Sequence, residues 1–538
     1  IPKRAKDEPI RRFTLSYGNG SQFGQSLDIG ERFGKNKEYG VRINIAHRDG
    51  STSVEREKQK TTGAALAFDV RKNKWRASLD TGYLHREFKN PTTSLKFDDA
   101  LINAGYLPKA PSGKTNFSDN GTFLNAKERY GLLRFDYDFN EAWSAYVAAG
   151  LRNSEQGYAY TAFRLLDTAG TARVINYAFP RENRANTQEI GAHGKFRTGD
   201  LAHEMTIAYN RTNWTAYTAQ AKVLGRYEVT SMYHPEWRGV QGNTDLPTPK
   251  TGESTLSGLA LTDVITVPNE RWQFILGARY QNVQIDSFSR ATGARTSHYD
   301  KSAWSPAYAI LFKATPKVSI YTSYIQGLQE GGQADDDALN AGEVFAPLKT
   351  KLMEMGVKFD MGKFATTVSA YEMKMPTTIS ETVSGGFISR QSDYTSRGVE
   401  ISFFGESRTG TRLLGGVTWL SARYAPGSRY SEKFVAGVSD MKAVLSVEQD
   451  IHGVPGLTLS TRFLYTGSAY LNPKNTLSYN PWFRVDAGAR YAFHMGDTPV
   501  TVRLDVNNVL NRRYWQPLSY APILGARRNV MFSVSADF

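Results

Sequence analysis

Apolar and polar residues alternate along most of this chain. In the final segment, NVMFSVSADF, one face is wholly apolar and consists of Val530, Phe532, Val534, Ala536 and Phe538. The same period of two occurs in RWQFILGARY (271–280), WFRVDAGARYAF (482–493) and TVRLDVNNV (501–509). This period predicts β-strands. Because charged residues stand in the middle of several strands, the polar face cannot be a dry core, and we expect one face to contact lipid and the other water.

The connections between these strands alternate in length. Ten short turns are predicted at 34–38, 71–74, 138–142, 197–200, 267–270, 314–317, 360–363, 407–410, 452–456 and 494–499. Long connections separate them, such as 86–126, 155–184 and 217–252. This asymmetry is typical of outer-membrane barrels, which have short periplasmic turns and long extracellular loops.

The pattern therefore predicts an all-β fold, a transmembrane antiparallel β-barrel of about 22 strands with both termini periplasmic. Phe538 then closes the last strand in the aromatic girdle at the periplasmic interface. A soluble sandwich or propeller also has alternating strands, but loops of about thirty to forty residues are uncommon in compact soluble domains. Trp272 and Tyr280, at the two ends of one outward face, match the span of a membrane strand.

The amino-acid composition excludes several classes of function. The 538 residues include no cysteine, which excludes disulfides, thiolate metal sites and cysteine nucleophiles. No apolar run approaches the ~20 residues of a transmembrane helix. The net charge of +14 raises the question of nucleic-acid binding, but clustered Lys/Arg stripes and nucleic-acid-binding motifs are absent. An anionic ligand or lipopolysaccharide phosphates suit this charge instead.

Four sequence blocks point to a known family. They are VNNVLNRRYW (506–515), SYIQGLQEGG (323–332), GEVFAPLKTKLMEMGVKFDMG (342–362) and SRGVEISFFG (396–405). In order and spacing they resemble TonB-dependent outer-membrane transporters, particularly siderophore receptors. One departure is that Ala346-Pro347-Leu348 keeps only the proline of the Pro-Glu pair found in the family.

The resemblance implies a plug that this sequence does not contain. In the family, an N-terminal plug domain carries the TonB box and leads through a VPKRA-like segment into the first strand. Here the matching IPKRA occupies residues 1–5. We therefore expect residues 1–538 to form a single transmembrane barrel domain, with the plug and the TonB box outside this sequence and energy coupling assigned to none of its residues.

The resemblance also implies a function. The expected protein is a monomer in the bacterial outer membrane, in contact with lipid and lipopolysaccharide, that captures a ferric siderophore at its extracellular loops. Uptake into the periplasm is driven by the TonB complex through the plug. No enzymatic activity, nucleic-acid partner or cofactor is expected, and iron enters only as part of the bound siderophore. Two alternatives remain: a plugless barrel that acts as a passive porin-like channel, and a receptor for a phage or bacteriocin.

Loop aromatics and nearby arginines are the candidate ligand contacts, because capture needs rigid rings and charged hydrogen-bond donors. The candidates are Tyr158, Tyr160, Phe163 and Arg164 in the fourth long loop, Tyr227, Tyr233, Trp237 and Arg238 in the fifth, Tyr324 and Gln326 near a strand end, and Phe345 in the loop that follows. The alternative is that such aromatics pack on one another and stiffen the loops.

Other chemistry has weaker support in the sequence. Residues 335–337 are three consecutive aspartates, which could hold a hard cation but are usually solvated. The eight histidines show no metal-ligand spacing, and no nucleophile elbow or phosphate loop is present. Residues 94–106 predict a short helix in the third long loop, which either leans over the barrel mouth or packs within the loop.

Overall fold

The computed structural model describes residues 3–329, 334, 339–340, 345, 348–384, 386–426, 428, 430–517 and 521–538. Almost every element is a strand, and they are joined by short turns at one end of the molecule. The elements in chain order are β1 (Ile10–Gly18), β2 (Gln22–Phe33), β3 (Tyr39–Ser51), β4 (Lys58–Lys72), β5 (Trp75–Lys89), β6 (Leu95–Phe97), α1 (Asp99–Asn103), β7 (Phe123–Asp138), β8 (Trp143–Leu165), β9 (Ala172–Ala178), β10 (Arg181–Thr198), β11 (Leu201–Thr218), β12 (Lys222–Val229), β13 (Lys250–Thr266), β14 (Trp272–Phe288), β15 (Arg295–Thr315), β16 (Val318–Gln329), β17 (Leu348–Asp360), β18 (Phe364–Val383), β19 (Gly386–Glu406), β20 (Thr411–Tyr424), β21 (Met441–Asp450), β22 (Leu457–Thr466), β23 (Ala469–Tyr470), β24 (Ser478–Tyr479), β25 (Trp482–Met495), β26 (Thr498–Asn507), β27 (Trp515–Gln516), β28 (Ile523–Leu524) and β29 (Asn529–Asp537).

Twenty-two of these strands form a closed antiparallel barrel, which confirms the predicted fold class. The first strand closes the barrel against the last, with Tyr17 opposite Phe532. β6, β9 and β12 extend the sheet beyond the barrel wall, and β23–β24 and β27–β28 form two small separate ribbons. Closure leaves no free sheet edge among the barrel strands.

The two faces of the wall have opposite chemistry, as the alternation predicts. Large apolar side chains on the outer face are open to the surroundings, and Leu151 has 69% of its surface exposed. The inner face carries charged pairs across strands, including Arg12 with Asp537. Such apolar exposure over a whole surface is typical of a barrel whose solvent is lipid. Among the residues that the model describes, no helix is long and apolar enough to cross a membrane.

All ten predicted short turns occur, and all lie at the same end, here called the short-turn end. The other end, the long-loop end, differs in part from the prediction. Of its eleven connections, four have six residues or fewer: 19–21, 52–57, 289–294 and 384–385. Between β18 and β19, residues that a long loop would contain belong to the strands instead. The two strands pair through 20 successive residue pairs, up to Val383 opposite Gly386. β18 and β19 therefore satisfy their backbone groups by pairing with each other as one tall hairpin.

The segment before β1 is fixed to the inner wall near the short-turn end. Arg4 forms an ion pair with Asp80, whose side chain is nearly completely buried. Arg42 Nη1 donates to the Arg4 carbonyl oxygen at 2.9 Å, and Lys3 reaches Asp28 at 3.0 Å. These contacts hold the entry segment against three neighbouring strands, β2, β3 and β5.

Candidate functional site

Several of the long connections fold together at the long-loop end. Their apolar side chains form one buried cluster, which we call the loop core: Leu95, Phe97, Leu101, Phe117, Phe163, Leu165, Ala172, Val174, Tyr227, Val229, Met232, Ala469, Leu471, Leu477, Tyr479 and Trp515. The cluster joins connections that are far apart in the chain, so the mouth of the barrel has a packed layer with its own hydrophobic interior. The helix predicted within 94–106 is present as α1 but spans only Asp99–Asn103, because Leu95–Phe97 form strand β6. Leu101 of α1 belongs to the loop core.

Strand alternation places residues in the loop core. β9 reads as strictly alternating buried and partly buried positions, and the upper part of β8 pairs with it in register from Ala159 opposite Ala178. Phe163 is 0% exposed. Its ring stacks on Phe117 at 4.9 Å and meets Trp237 edge-on at 6.1 Å. Phe163 is therefore a packing residue, as the alternative interpretation of the loop aromatics expects for such a ring.

A buried polar network fixes the same layer. Asp119 is fully buried and accepts hydrogen bonds from Asn176 Nδ2 at 2.6 Å and from the Gly239 backbone N–H at 2.9 Å. Thr161 Oγ1 donates to Asn176 Oδ1 at 2.8 Å. Since buried polar groups are stable only when paired, this network ties β8 and β9 to the connections 90–122 and 230–249.

The opposite side of the same small sheet carries a different set of side chains, which we call the tyrosine–arginine face. It consists of Tyr158, Tyr160, Arg164, Arg173, Tyr177, Arg226 and Glu228. The rings are stacked along the face: Tyr158 lies 5.4 Å from Tyr160, and Tyr160 lies 5.4 Å from Tyr177.

This face continues the inner wall of the barrel. Lower in β8, the same row contains Tyr146, whose hydroxyl donates to Glu189 at 2.6 Å and whose ring lies under the Arg134 guanidinium. The pairing of β8 with β7 runs without a register shift from Ser144 to Ala159. Because alternate residues of an uninterrupted strand stay on one side, Tyr158 belongs to the lumen-facing row.

The charges on the tyrosine–arginine face are only partly neutralised. Arg173 pairs with Glu228 at 2.9 Å. Arg164 and Arg226 are exposed, and neither forms an ion pair with another residue in the part of the chain that the model describes. Two free guanidinium groups beside stacked rings can bind an anionic ligand that also presents a flat or apolar surface.

The predicted residues of the fifth long loop lie on the other side of this sheet. Tyr227 is buried in the loop core, and burial raises its pKa well above its ordinary value. The Arg238 guanidinium lies over the Tyr227 ring at 4.8 Å, and Trp237 lies under Arg56 at 4.7 Å. Tyr233 is exposed and donates to the Lys109 carbonyl oxygen at 3.1 Å. These residues hold the layer together, and they are not assembled with the tyrosine–arginine face.

The remaining predicted residues are elsewhere. Tyr324 is opposite Tyr308 in the pairing of β15 with β16, and the two rings stack at 6.5 Å in the outward row. Gln326 shares that row and donates to the Tyr324 hydroxyl. Both are therefore turned away from the lumen. Phe345 is buried, and the residues on either side of it lie outside the described part of the chain.

Sequence reasoning missed four members of the tyrosine–arginine face: Arg173, Tyr177, Arg226 and Glu228. Their signal was present as alternation in ARVINYA (172–178) and KVLGRYEV (222–229). Those segments were included in long connections rather than interpreted as strands. As strands, they place these four side chains on the same face as Tyr160 and Arg164.

Metal-binding groups are not assembled in this layer. Within the described ranges, no group of three or more His, Asp or Glu side chains could hold a metal ion. The three aspartates 335–337 lie outside those ranges. What the site offers is aromatic stacking and cationic hydrogen-bond donors.

Comparison with known proteins gives consistent matches. The family described as TonB dependent receptor-like, beta-barrel matches residues 67–509. Ferrichrome receptor FcuA of Yersinia enterocolitica is 32% identical over 553 residues, which span 100% of this chain and 72% of that protein. The structure of BauA, the ferric preacinetobactin receptor from Acinetobacter baumannii, matches with a TM-score of 0.91 and 31% identity, covering 100% of this chain and 81% of the other. The siderophore receptor PiuA from the same species matches in fold alone, with a TM-score of 0.85, 18% identity, and 100% and 83% coverage.

Proposed function

Because the chain belongs to the TonB-dependent receptor-like β-barrel family, we propose that it is an outer-membrane receptor that captures a ferric siderophore for TonB-driven uptake. Similar proteins are named as receptors for ferrichrome and ferric preacinetobactin. In this proposal the long-loop end is extracellular and both termini are periplasmic. The single observation that carries the capture step is the tyrosine–arginine face, which continues the lumen wall at the mouth of the barrel.

The chemistry of this face suits a ferric complex. Siderophore complexes present hydrocarbon or ring surface together with iron-bound oxygens that carry negative charge. Tyr160 and Tyr177 offer ring surface, and Arg164 and Arg226 offer donors for the oxygens. The loop core lies directly behind the face and orders it before the ligand arrives, which reduces the entropy lost on binding.

The remaining parts of the proposal concern partners. We propose that the barrel, which β1 and β29 close, is a monomer whose outward apolar row contacts lipid and lipopolysaccharide. Coupling to TonB takes place through a plug domain that precedes the IPKRA segment. The similar proteins are receptors and transporters, and we infer that this chain likewise performs binding and transport without enzymatic chemistry.

Equilibrium binding of radioiron-labelled ferrichrome and ferrioxamine B to the detergent-purified protein tests the capture site. Tyr160→Ala should weaken binding about tenfold, as expected for an aromatic hot spot. Tyr324→Ala is the matched control, because it removes the same ring from the outward row of the wall. Equal weakening by both variants, or by the control alone, contradicts capture at the tyrosine–arginine face.

Uptake in cells separates the receptor from the passive channel. A receptor gives iron uptake that saturates with ferric siderophore and stops when the proton-motive force is collapsed. A porin-like barrel gives uptake that rises linearly with concentration and is insensitive to the collapse. The second result contradicts the proposed function.

A further inference from the structure

A cavity lies at the long-loop end, apart from the tyrosine–arginine face. It has a volume of about 410 Å³ and is enclosed by three segments: 107–110 before β7, 480–482 at the start of β25, and 512–515 after β26. Trp482 precedes Arg484 and Asp486 in the inward row of β25, where Asp486 pairs with Arg462 at 2.6 Å. The cavity therefore belongs to the lumen side of the wall and not to the lipid side.

The walls of this cavity are already fixed. Trp482 and Tyr514 stack at 4.3 Å, and Trp515 Nε1 donates to the Pro108 carbonyl oxygen at 2.7 Å. The buried Asn508 holds the backbone of Arg512 from both sides, with its Oδ1 accepting from the Arg512 N–H at 2.9 Å and its Nδ2 donating to the Arg512 carbonyl at 3.0 Å. The backbone that presents the Arg512 side chain is thus positioned in advance.

The side chains that line the cavity include a hydrogen-bond donor without an acceptor and several positive charges. Trp482 is more than nine-tenths buried, and its indole N–H has no hydrogen-bond partner among the residues that the structure describes. Lys109, Arg512 and Arg513 are exposed and form no ion pair with any residue that the model describes. Within the described part of the chain, the lining contains no Asp or Glu. An unpaired buried N–H costs about 1–3 kcal/mol, so an acceptor that reaches this N–H from the cavity would be stabilised.

We propose that this cavity binds the oxyanion of a small dissolved molecule, a carboxylate or a phosphate. The indole N–H of Trp482 donates to one oxygen, and the guanidinium groups of Arg512 and Arg513 bind the others. The inward position of Trp482 favours a ligand that arrives from the aqueous mouth over a lipid headgroup. The proposal rests on the cavity alone, so it can stand or fall independently of siderophore capture.

Calorimetric titration of the detergent-purified protein at low salt tests this site. Inorganic pyrophosphate serves as the phosphate probe and citrate as the carboxylate probe. The double variant R512Q/R513Q should weaken binding of at least one probe by about tenfold or more, because hydrogen bonds to charged groups are lost. Trp482→Phe keeps the ring against Tyr514 and removes only the N–H, and we expect about threefold weaker binding.

Arg527→Gln is the matched control, since it removes the same charge from an exposed arginine of the same connection, away from the cavity lining. Its affinity should stay within about twofold of the original chain. The gel mobility of the unheated barrel establishes that each variant is folded. Unchanged affinity in R512Q/R513Q, or equal weakening by the control, overturns the proposal. Lipopolysaccharide binding that depends on Arg512 and Arg513, with neither dissolved probe bound, also overturns it.

Discussion

Truncation of Phe163 separates the stability of the loop layer from that of the barrel. The side chain is fully enclosed and stacks on Phe117, so Phe163→Ala removes a complete buried ring. Such a change costs about 3–5 kcal/mol in a packed core. Since the contacts of the ring lie within the loop core, we expect this loss to fall on the local opening of the loop layer and to leave the barrel wall unaffected.

The size of this loss of stability predicts a measurable change in amide hydrogen exchange. A loss of about 3 kcal/mol raises the population of the opened layer by about two orders of magnitude, because each 1.4 kcal/mol is a factor of ten. Amide protection in β9 and β12 should fall by that factor. Protection in barrel strands such as β22 and β25 should not change. Hydrogen–deuterium exchange with mass spectrometry of the detergent-purified protein measures both regions together.

The control is Phe135→Ala, which removes the same ring from the outward face of β7. This variant should not alter exchange in β9 and β12. If Phe163→Ala leaves their protection intact, the loop core does not stabilise the layer as its packing indicates. If protection falls equally throughout the wall, the layer and the barrel open as one unit, and the reasoning is refuted.

Three further predictions follow from individual side chains. Asp119→Ala leaves the Asn176 amide and the Gly239 N–H without their acceptor, so limited proteolysis within 230–249 should become at least tenfold faster, with peptide mapping as the measurement. Burial raises the pKa of Tyr227, so as the pH rises its hydroxyl loses the proton in the opened layer before it does so in the closed layer. Above about pH 10 the free energy of opening the layer should therefore fall by up to about 1.4 kcal/mol per pH unit. Hydrogen exchange measures this slope, and Tyr227→Phe should reduce it. Arg4→Gln leaves the Asp80 carboxylate without its cation, and the entry segment should become accessible to protease cleavage while the barrel keeps its gel mobility.

Much of the fold could be predicted from local chemistry. The ten short turns were located correctly because each interrupts two alternating runs, and alternation depends only on neighbouring residues. The long connections were predicted less well. ARVINYA (172–178) alternates as clearly as a barrel strand but pairs with β8 and β12 above the wall. The sequence offers no local sign of whether an alternating segment continues the wall or folds back over the mouth.

The candidate site shows the same limit. Phe163 and Arg164 are adjacent in the sequence and both are predicted ligand contacts, yet one is enclosed in the loop core and the other is exposed on the opposite face of the same strand. Their separation follows once the segment is known to be a strand, because successive side chains point to opposite faces. Tyr324 was predicted from its place near a strand end, and its direction depended on the register with Tyr308.

The sequence by itself determined that most strands have one polar and one apolar face, a pattern that predicts a membrane barrel with short turns at one end. Period and turn residues act over a few positions, so no distant contact is needed to specify them. The assembly of the mouth was decided only by the tertiary structure. The Trp515 indole N–H donates to the Pro108 carbonyl oxygen, about four hundred residues away in the sequence. The Asp119 carboxylate accepts hydrogen bonds from Asn176 and Gly239, which lie in two other connections. Such contacts depend on which loops meet in space after the barrel has closed, and closure is a property of the whole chain.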